Sequence, residues 1–217
     1  MEHVVVVRPY EPRDRAAVRQ ICCDTADVGK PLGALFPDRE VVADVVTRYY
    51  TDVESQATWV AVCQDRVIGY LTGCLDSRRY QQVMTWRVVP RALMKGVLRG
   101  ALGFPHTWRL LGAAAQTWRC GGFDRHISLD VYPAHLHINL QQDFRGQHVG
   151  RQLVERFIEQ VKATGKRGIH VGVNGENVVA CRFFEQLGFT LLSRHPVVPP
   201  TGDAARHHET VIYGKSL

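Results

Sequence analysis

Leu140-Gln141-Gln142-Asp143-Phe144-Arg145-Gly146-Gln147-His148-Val149-Gly150-Arg151 is the stretch that decides the fold. An apolar run stops at Leu140, a turn carrying Gly146 follows, and a helix opens at about His148 and continues to Thr164. The first amides of such a helix have no intrahelical partner, and they sit at the positive end of its dipole. Together these attract phosphate. Arg145 and Arg151 flank the turn and add charge-assisted contacts. A glycine turn also serves as a plain cap, so the segment alone leaves both readings open. The P-loop signature G-K-[ST] and the dinucleotide signature G-x-G-x-x-G are both absent.

Downstream, the pattern predicts a strand over Gly168–Val173, a short helix over Val178–Gln186, a strand from Phe189 and a last strand around Thr210–Tyr213. Upstream, Ile127–Leu140 reads as one strand whose apolar parity slips at Tyr132-Pro133-Ala134, which predicts a bulge or kink. The front half begins with a strand at Val4–Val7 and a helix over Arg13–Cys23. Asp38 is the expected N-cap of a second helix with an apolar stripe Val41, Val42, Val45, Val46 and Tyr49. A hairpin, Thr58–Cys63 with Arg66–Leu75, turns at Gln64-Asp65. No linker divides the chain, so residues 1–217 are expected to form one α/β domain: a mixed twisted sheet flanked by helices.

The 217 residues are 45% hydrophobic and 22% charged, which excludes a disordered chain. No apolar run approaches the ~20 residues of a membrane span. The N-terminus lacks the pattern of a secretion signal, so a cytoplasmic protein is expected. Six cysteines without C-x-x-C spacing read as buried free thiols, and no metal site is expected. The net charge of +6 concentrates between Asp76 and Arg125, where nine bases face two acids. This segment reads as a helical insertion. Pro90 suits a first helical turn, Arg91, Lys95 and Arg99 form a basic stripe, and Leu93, Met94, Val97 and Leu98 form an apolar face. A polyanionic partner and a solvated face both fit such a stripe. With no RNP, KH or zinc-finger pattern, nucleic acid is not the expected partner.

A second segment, Asn177-Val178-Val179-Ala180-Cys181-Arg182-Phe183-Phe184 followed by Leu187-Gly188-Phe189, comes directly after a strand. Together the two segments resemble the GNAT acetyltransferases. The motif Q/R-x-x-G-x-G/A appears as Arg145, His148 and Gly150, and N-x-x-A-x-x-F-Y appears with Phe184 at the Tyr position. Ile21–Thr25, Val67–Gly73 with Asp76, and Tyr132–Ile138 look, more narrowly, like the acetyltransferase-like domain of O-GlcNAcase. The GNAT resemblance implies acetyl-CoA as cofactor and an amine as acceptor. Small amine, peptide N-terminus, lysine and amino sugar all remain open, as does the oligomeric state.

By the same resemblance, backbone groups of Ile138 and Leu140 would hold the acetyl-pantetheine, and the turn from Arg145 and Gly146 through Gln147, His148, Val149, Gly150 and Arg151 would hold the pyrophosphate. Asn177 would contact pantetheine, and Ala180 would leave room for it. His148 in place of glycine is expected to keep ordinary helical angles while narrowing the approach. Phe184 keeps the packing of the usual Tyr and loses its acid. His135 and His137 are the candidate bases, on the same side of the strand by parity, and the Ile138 amide is the oxyanion donor. Transfer is expected to be direct, with Cys181 a packing residue. The alternative is an inactive acetyl-CoA-binding or interaction module, prompted by Phe184 and the lack of a clear carboxylate base. The insertion is expected to cover the acceptor side, with some of Trp86, Trp108 and Trp118 as walls.

Overall fold

The computed structural model describes residues 4–25, 39–98, 127–197 and 208–217, with isolated positions between 100 and 116. Its strands are β1 (Val5–Pro9), β2 (Thr58–Cys63), β3 (Arg66–Cys74), β4 (Ala134–Leu140), β5 (Gly168–Asn174), β6 (Thr190–Val197) and β7 (His208–Ser216). They form one sheet in the order β1-β2-β3-β4-β5-β7-β6. The β2–β3 hairpin turns as expected. Gln64 and Asp65 both take positive φ, 49° and 60°, as a tight turn matching strand twist requires.

One pairing matters most. Strand β4 runs antiparallel to β3 along its length, from Cys74↔His135 to Gly69↔Leu140. It runs parallel to β5 at Ala134↔Ile169 and His135↔His170 alone. Beyond His135 the two parallel strands part, and the sheet opens between them.

The helices are α1 (Arg15–Thr25), α2 (Arg39–Asp52), α3 (Ser77–Val83), α4 (Val89–Leu98), α5 (Val149–Ala163) and α6 (Val178–Gln186). Alternation along each strand sorts the side chains into two layers. Ala134, Leu136, Ile169 and Val171 pack with Leu153, Val154 and Phe157 of α5 and Phe184 of α6 in the main core. Each large apolar side chain buried there contributes about 1.5–3 kcal/mol. Gly73 lets α5 come close, because a Cβ there would collide with Phe157 and stand 2.5 Å from the Ala57 carbonyl oxygen. On the opposite face, His135, His137 and Asn139 share a parity and pair across the ladder with Cys74, Thr72 and Tyr70.

Four expectations need correction. The α2 stripe is rotated: Ala43, Asp44, Thr47, Tyr49, Tyr50 and Thr51 are buried, while Val46 is exposed. Polar members tolerate burial because Thr47 Oγ1 donates to the Ala43 carbonyl and Asp44 is ion-paired. The strand expected over Ile127–Leu140 begins only at Ala134, and residues 129–131 are a turn, so the parity slip marks the strand's start and not a bulge. Pro90 lies in the first turn of α4 as expected, but that helix does not start from coil. Helix runs unbroken from Ser77 to Leu98, with a π-turn at Met84–Val88 just before the proline. Widening the turn there accommodates a ring that clashes with an ordinary i→i−4 ladder. Finally, α4 buries its small residues, Ala92 and Gly96, and exposes Leu93, Met94, Val97 and Leu98. Asp38, Arg99, Trp118 and Cys120 lie outside the described residues.

Candidate active site

The ladder decides which backbone groups face the opening. Gln141 N–H donates to the Ile68 carbonyl at 2.9 Å, so odd-numbered residues of β4 face β3. The N–H and C=O groups of Leu136, Ile138 and Leu140 therefore face the side that β5 has left. Ile138 and Leu140, singled out from sequence, stand where an extended ligand could add itself as a strand.

The opening leads to the turn before α5. Gln142–Phe144 form one 3₁₀ turn, Gly146 takes φ +78°, and His148 takes φ +60° as the helix N-cap. This corrects the expectation for His148: its backbone is left-handed, the region glycine enters without cost, and not helical. Val149, Gly150 and Arg151 then present the first amides of the helix. Gly150 is buried, and a Cβ there would meet Leu140 and Phe183 at 3.3 Å. Glycine thus seats α5 against both β4 and α6. The Arg145 guanidinium folds back, donating from Nε and Nη2 to the Leu140 carbonyl at 3.2 and 3.1 Å. Gln147 Nε2 donates to the Asp143 carbonyl at 2.8 Å, and Arg151 pairs with Glu155 on the exposed face of α5. The parted strands, the amino-terminal amides and the bare Gly150 backbone together suit a pantetheine arm and its pyrophosphate.

Asn177 caps α6, its Oδ1 accepting from Ala180 N–H at 3.0 Å. That bond uses the oxygen and leaves Nδ2 as the side-chain atom able to donate to a ligand. Ala180 is half-buried beside the main core. Phe184 is 3% exposed, with its ring against Phe183 and Phe189 at 5.1 and 5.4 Å. It is a core side chain. Cys181, half-buried, lies beside the Tyr213 hydroxyl, which donates to Glu185 Oε1 at 2.8 Å.

The opposite face of β4 carries the ionisable groups. His137 is exposed, with its ring edge-on to Tyr50 at 5.8 Å. His135 is buried and hydrogen-bonded at both nitrogens, Nε2 to Tyr50 Oη at 2.9 Å and Nδ1 to Ser77 Oγ at 2.7 Å. Tyr80 packs on His135 at 4.6 Å. His170 of β5, also buried, donates from Nδ1 to the Tyr132 carbonyl at 2.9 Å. Glu54 is buried behind this cluster, accepting from Tyr49 Oη and from Leu75 N–H. Burial pushes the Tyr49 hydroxyl and the Cys74 thiol well up, so neither ionises near neutrality. Sequence reasoning found His135 and His137 and missed Tyr50, Ser77, Tyr80, His170 and Glu54. Only the period-2 alternation of β5 could have pointed to His170, and only the position next to the N-cap residue Asp76 of the insertion helix to Ser77. The insertion does reach this face, through Ser77 and Tyr80. Trp86 is 80% exposed and Trp108 60%.

Against known structures the chain is 25% identical to the crystal structure of SsHAT, covering 98% of each chain with a TM-score of 0.72. Residues 126–189 match the model of the Acetyltransferase (GNAT) family. The fold is that of a GNAT acetyltransferase. The GNAT match begins before β4 and ends after α6, so it contains both the opening and the amino terminus of α5. The yncA protein of Salmonella typhimurium, solved with its cofactor acetyl-CoA, shares this fold at 16% identity and a TM-score of 0.57, over 98% of this chain and 94% of that one. A second Salmonella typhimurium protein, L-methionine sulfoximine/L-methionine sulfone acetyltransferase, is 31% identical over 89 residues. That match spans 40% of this chain and 47% of the relative.

Proposed function

We propose that this chain is an N-acetyltransferase that moves an acetyl group from acetyl-CoA to an amine by direct attack. The observation that carries it is the parting of β4 from β5 beyond His135, beside the free amides of α5. Ile138, Leu140 and Asn177 would hold the pantetheine, with Ala180 leaving it room. The amides from Gln147 to Arg151 would hold the pyrophosphate, with Arg145 and Gly146 shaping the turn. Bound acetyl-CoA supplies an activated acetyl group on a good leaving thiolate. The chain supplies orientation, a proton acceptor and a charge acceptor. His137, exposed on the acceptor face, takes the proton of the amine, and the Ile138 N–H donates to the acetyl oxygen as charge develops there. Phe184 brings no hydroxyl to the sulfur.

Cys22, Cys23, Cys63 and Cys74 are buried, and burial pushes Cys22 up to about 11, so none of them suits an acyl-enzyme route. Cys181 sits within the α6 segment as a packing residue. Unbridged thiols also fit a cytoplasmic location. No helix among the described residues is long and apolar enough to cross a membrane. The narrower likeness to the O-GlcNAcase-type domain rests on the Tyr132–Ile138 stretch and names no acceptor.

Calorimetry with acetyl-CoA, followed by CoA-release assays on a panel of amines that includes methionine sulfoximine, tests the proposal. Binding together with amine-dependent CoA release is the expected result. Binding without release from any amine class would instead support an inactive module.

A further inference from the structure

His135 and His137 stand two residues apart on one face of β4, yet the structure treats them differently. Ser77 Oγ has one proton, and its geometry gives that proton to the Pro133 carbonyl at 2.7 Å. The contact between Ser77 Oγ and His135 Nδ1, at 2.7 Å, then requires the imidazole to donate. In a neutral ring Nε2 is therefore the acceptor, and it receives the Tyr50 hydroxyl proton at 2.9 Å. One directional chain results: Tyr50 to His135 to Ser77 to the Pro133 carbonyl. Its members come from α2, β4, the start of α3 and the segment before β4. Tyr50 is 1% exposed and His135 6%, so a charged imidazole there would be placed in a low-dielectric setting. His170 is 5.4 Å away and His137 6.1 Å away, ring to ring.

We propose that His135 is a positioning residue, held by Tyr50 and Ser77 as the neutral Nδ1–H tautomer so that His137 alone takes the proton of the acceptor amine. This rests on the reading of His137 as the base and deepens it. A cation at His135 would repel the one forming on His137, and a flipped ring would shift the strand that carries both His137 and the Ile138 amide. The Tyr50 ring, edge-on to His137 as well as bonded to His135, ties the two imidazoles to α2. Ser77 ties them to the insertion, so the insertion's first turn is part of the catalytic support.

The test joins a spectroscopic readout to a kinetic one. Histidine ¹⁵N NMR of the unmodified protein near neutral pH reads the tautomer directly, and His135 is expected as a single Nδ1–H species. Tyr50→Phe keeps the ring and removes the hydroxyl. It should lower kcat by about 10-fold, less than the ~10²-fold or more expected for loss of the base itself, while leaving the acetyl-CoA dissociation constant unchanged. Ser77→Ala should do the same, and Ser77→Thr should restore turnover. A protonated or Nε2–H His135 would overturn the proposal. So would full kcat in the Tyr50→Phe and Ser77→Ala single variants when the separate His137→Ala variant has lost turnover. Full turnover in His137→Ala would instead remove the base reading itself, so the two failures are told apart. Should Tyr50→Phe fail to fold, the tautomer of the unmodified protein and the Ser77 pair still decide.

Discussion

His148 carries a side chain through backbone space that ordinarily costs a non-glycine residue about 1 kcal/mol or more. His148→Gly should therefore raise the melting temperature by roughly 2 °C, the shift ~1 kcal/mol gives in a chain of this size, less the entropy glycine adds to the unfolded state. Thermal unfolding at fixed pH measures it, and a lower melting temperature would show that the His148 side chain has a stabilising contact. Gly150 is the contrasting case, since its need is for space. Gly150→Glu should weaken acetyl-CoA binding at least ~10-fold, or roughly 1.4 kcal/mol, by crowding Phe183 and by placing a carboxylate at the anion-binding end of α5. Calorimetry on the folded variant checks it. His137→Ala should lower kcat by about 10²-fold with acetyl-CoA affinity intact. The turn at 145–151 was legible in sequence because the role proposed for it runs through backbone groups. The left-handed angle at His148 was not, because a histidine in sequence does not announce its φ.

Among the elements, α1, α2 and α4 meet at one carboxylate. Asp44 of α2 accepts from Arg19 Nη1 of α1 at 2.6 Å and from Lys95 Nζ of α4 at 2.8 Å. Burial on its own would raise the Asp44 carboxyl, but the hydrogen bonds and charges of Lys95 and Arg19 outweigh it and hold the group below its usual value. Asp44→Asn should cost roughly 1.5–3 kcal/mol, because Arg19 and Lys95 lose the buried carboxylate between them and Arg19 keeps only Glu40 at the helix surface, and chemical denaturation would read the loss. This junction also explains the misread faces of α2 and α4. Hydrophobic periodicity assigns Val41, Val42, Val45 and Val46 to the core and Lys95 to water. The observed contact is instead built from a buried ion pair and small residues, which periodicity does not register. The helix from Ser77 to Leu98 shows the same limit, since Pro90 signals a start only when the chain before it is not already helical.

For the whole molecule, acid sensitivity follows from the same groups. Asp14, bonded to Arg8, is likewise held below its usual value, with the hydrogen bond from Arg8 and the Glu11 backbone overcoming burial. A carboxyl depressed in the folded state contributes stability that is complete above the unfolded value near ~4 and is lost as pH falls through the folded value. Melting temperature should thus hold from neutrality to about pH 4 and fall below it. Asp44→Asn should show a shallower fall, and parallel acid limbs in the two proteins would count against the assignment. The half proposed to hold the cofactor was readable from residue order alone. Leu140–Arg151 and Asn177–Phe189 are short contiguous segments, and the strand, turn and helix they encode are local structures that bring their own backbone groups to a ligand. The face proposed to receive the acceptor was readable only in part. Tyr50, Ser77, Tyr80, His135, His137 and His170 come from α2, α3, β4 and β5, and the parity of β4 placed two of the six. Which histidine is bonded at both nitrogens, and that β4 leaves β5 after His135, depend on packing between residues far apart in the chain. Those contacts exist only once the sheet has closed around them, so the tertiary structure alone decided them.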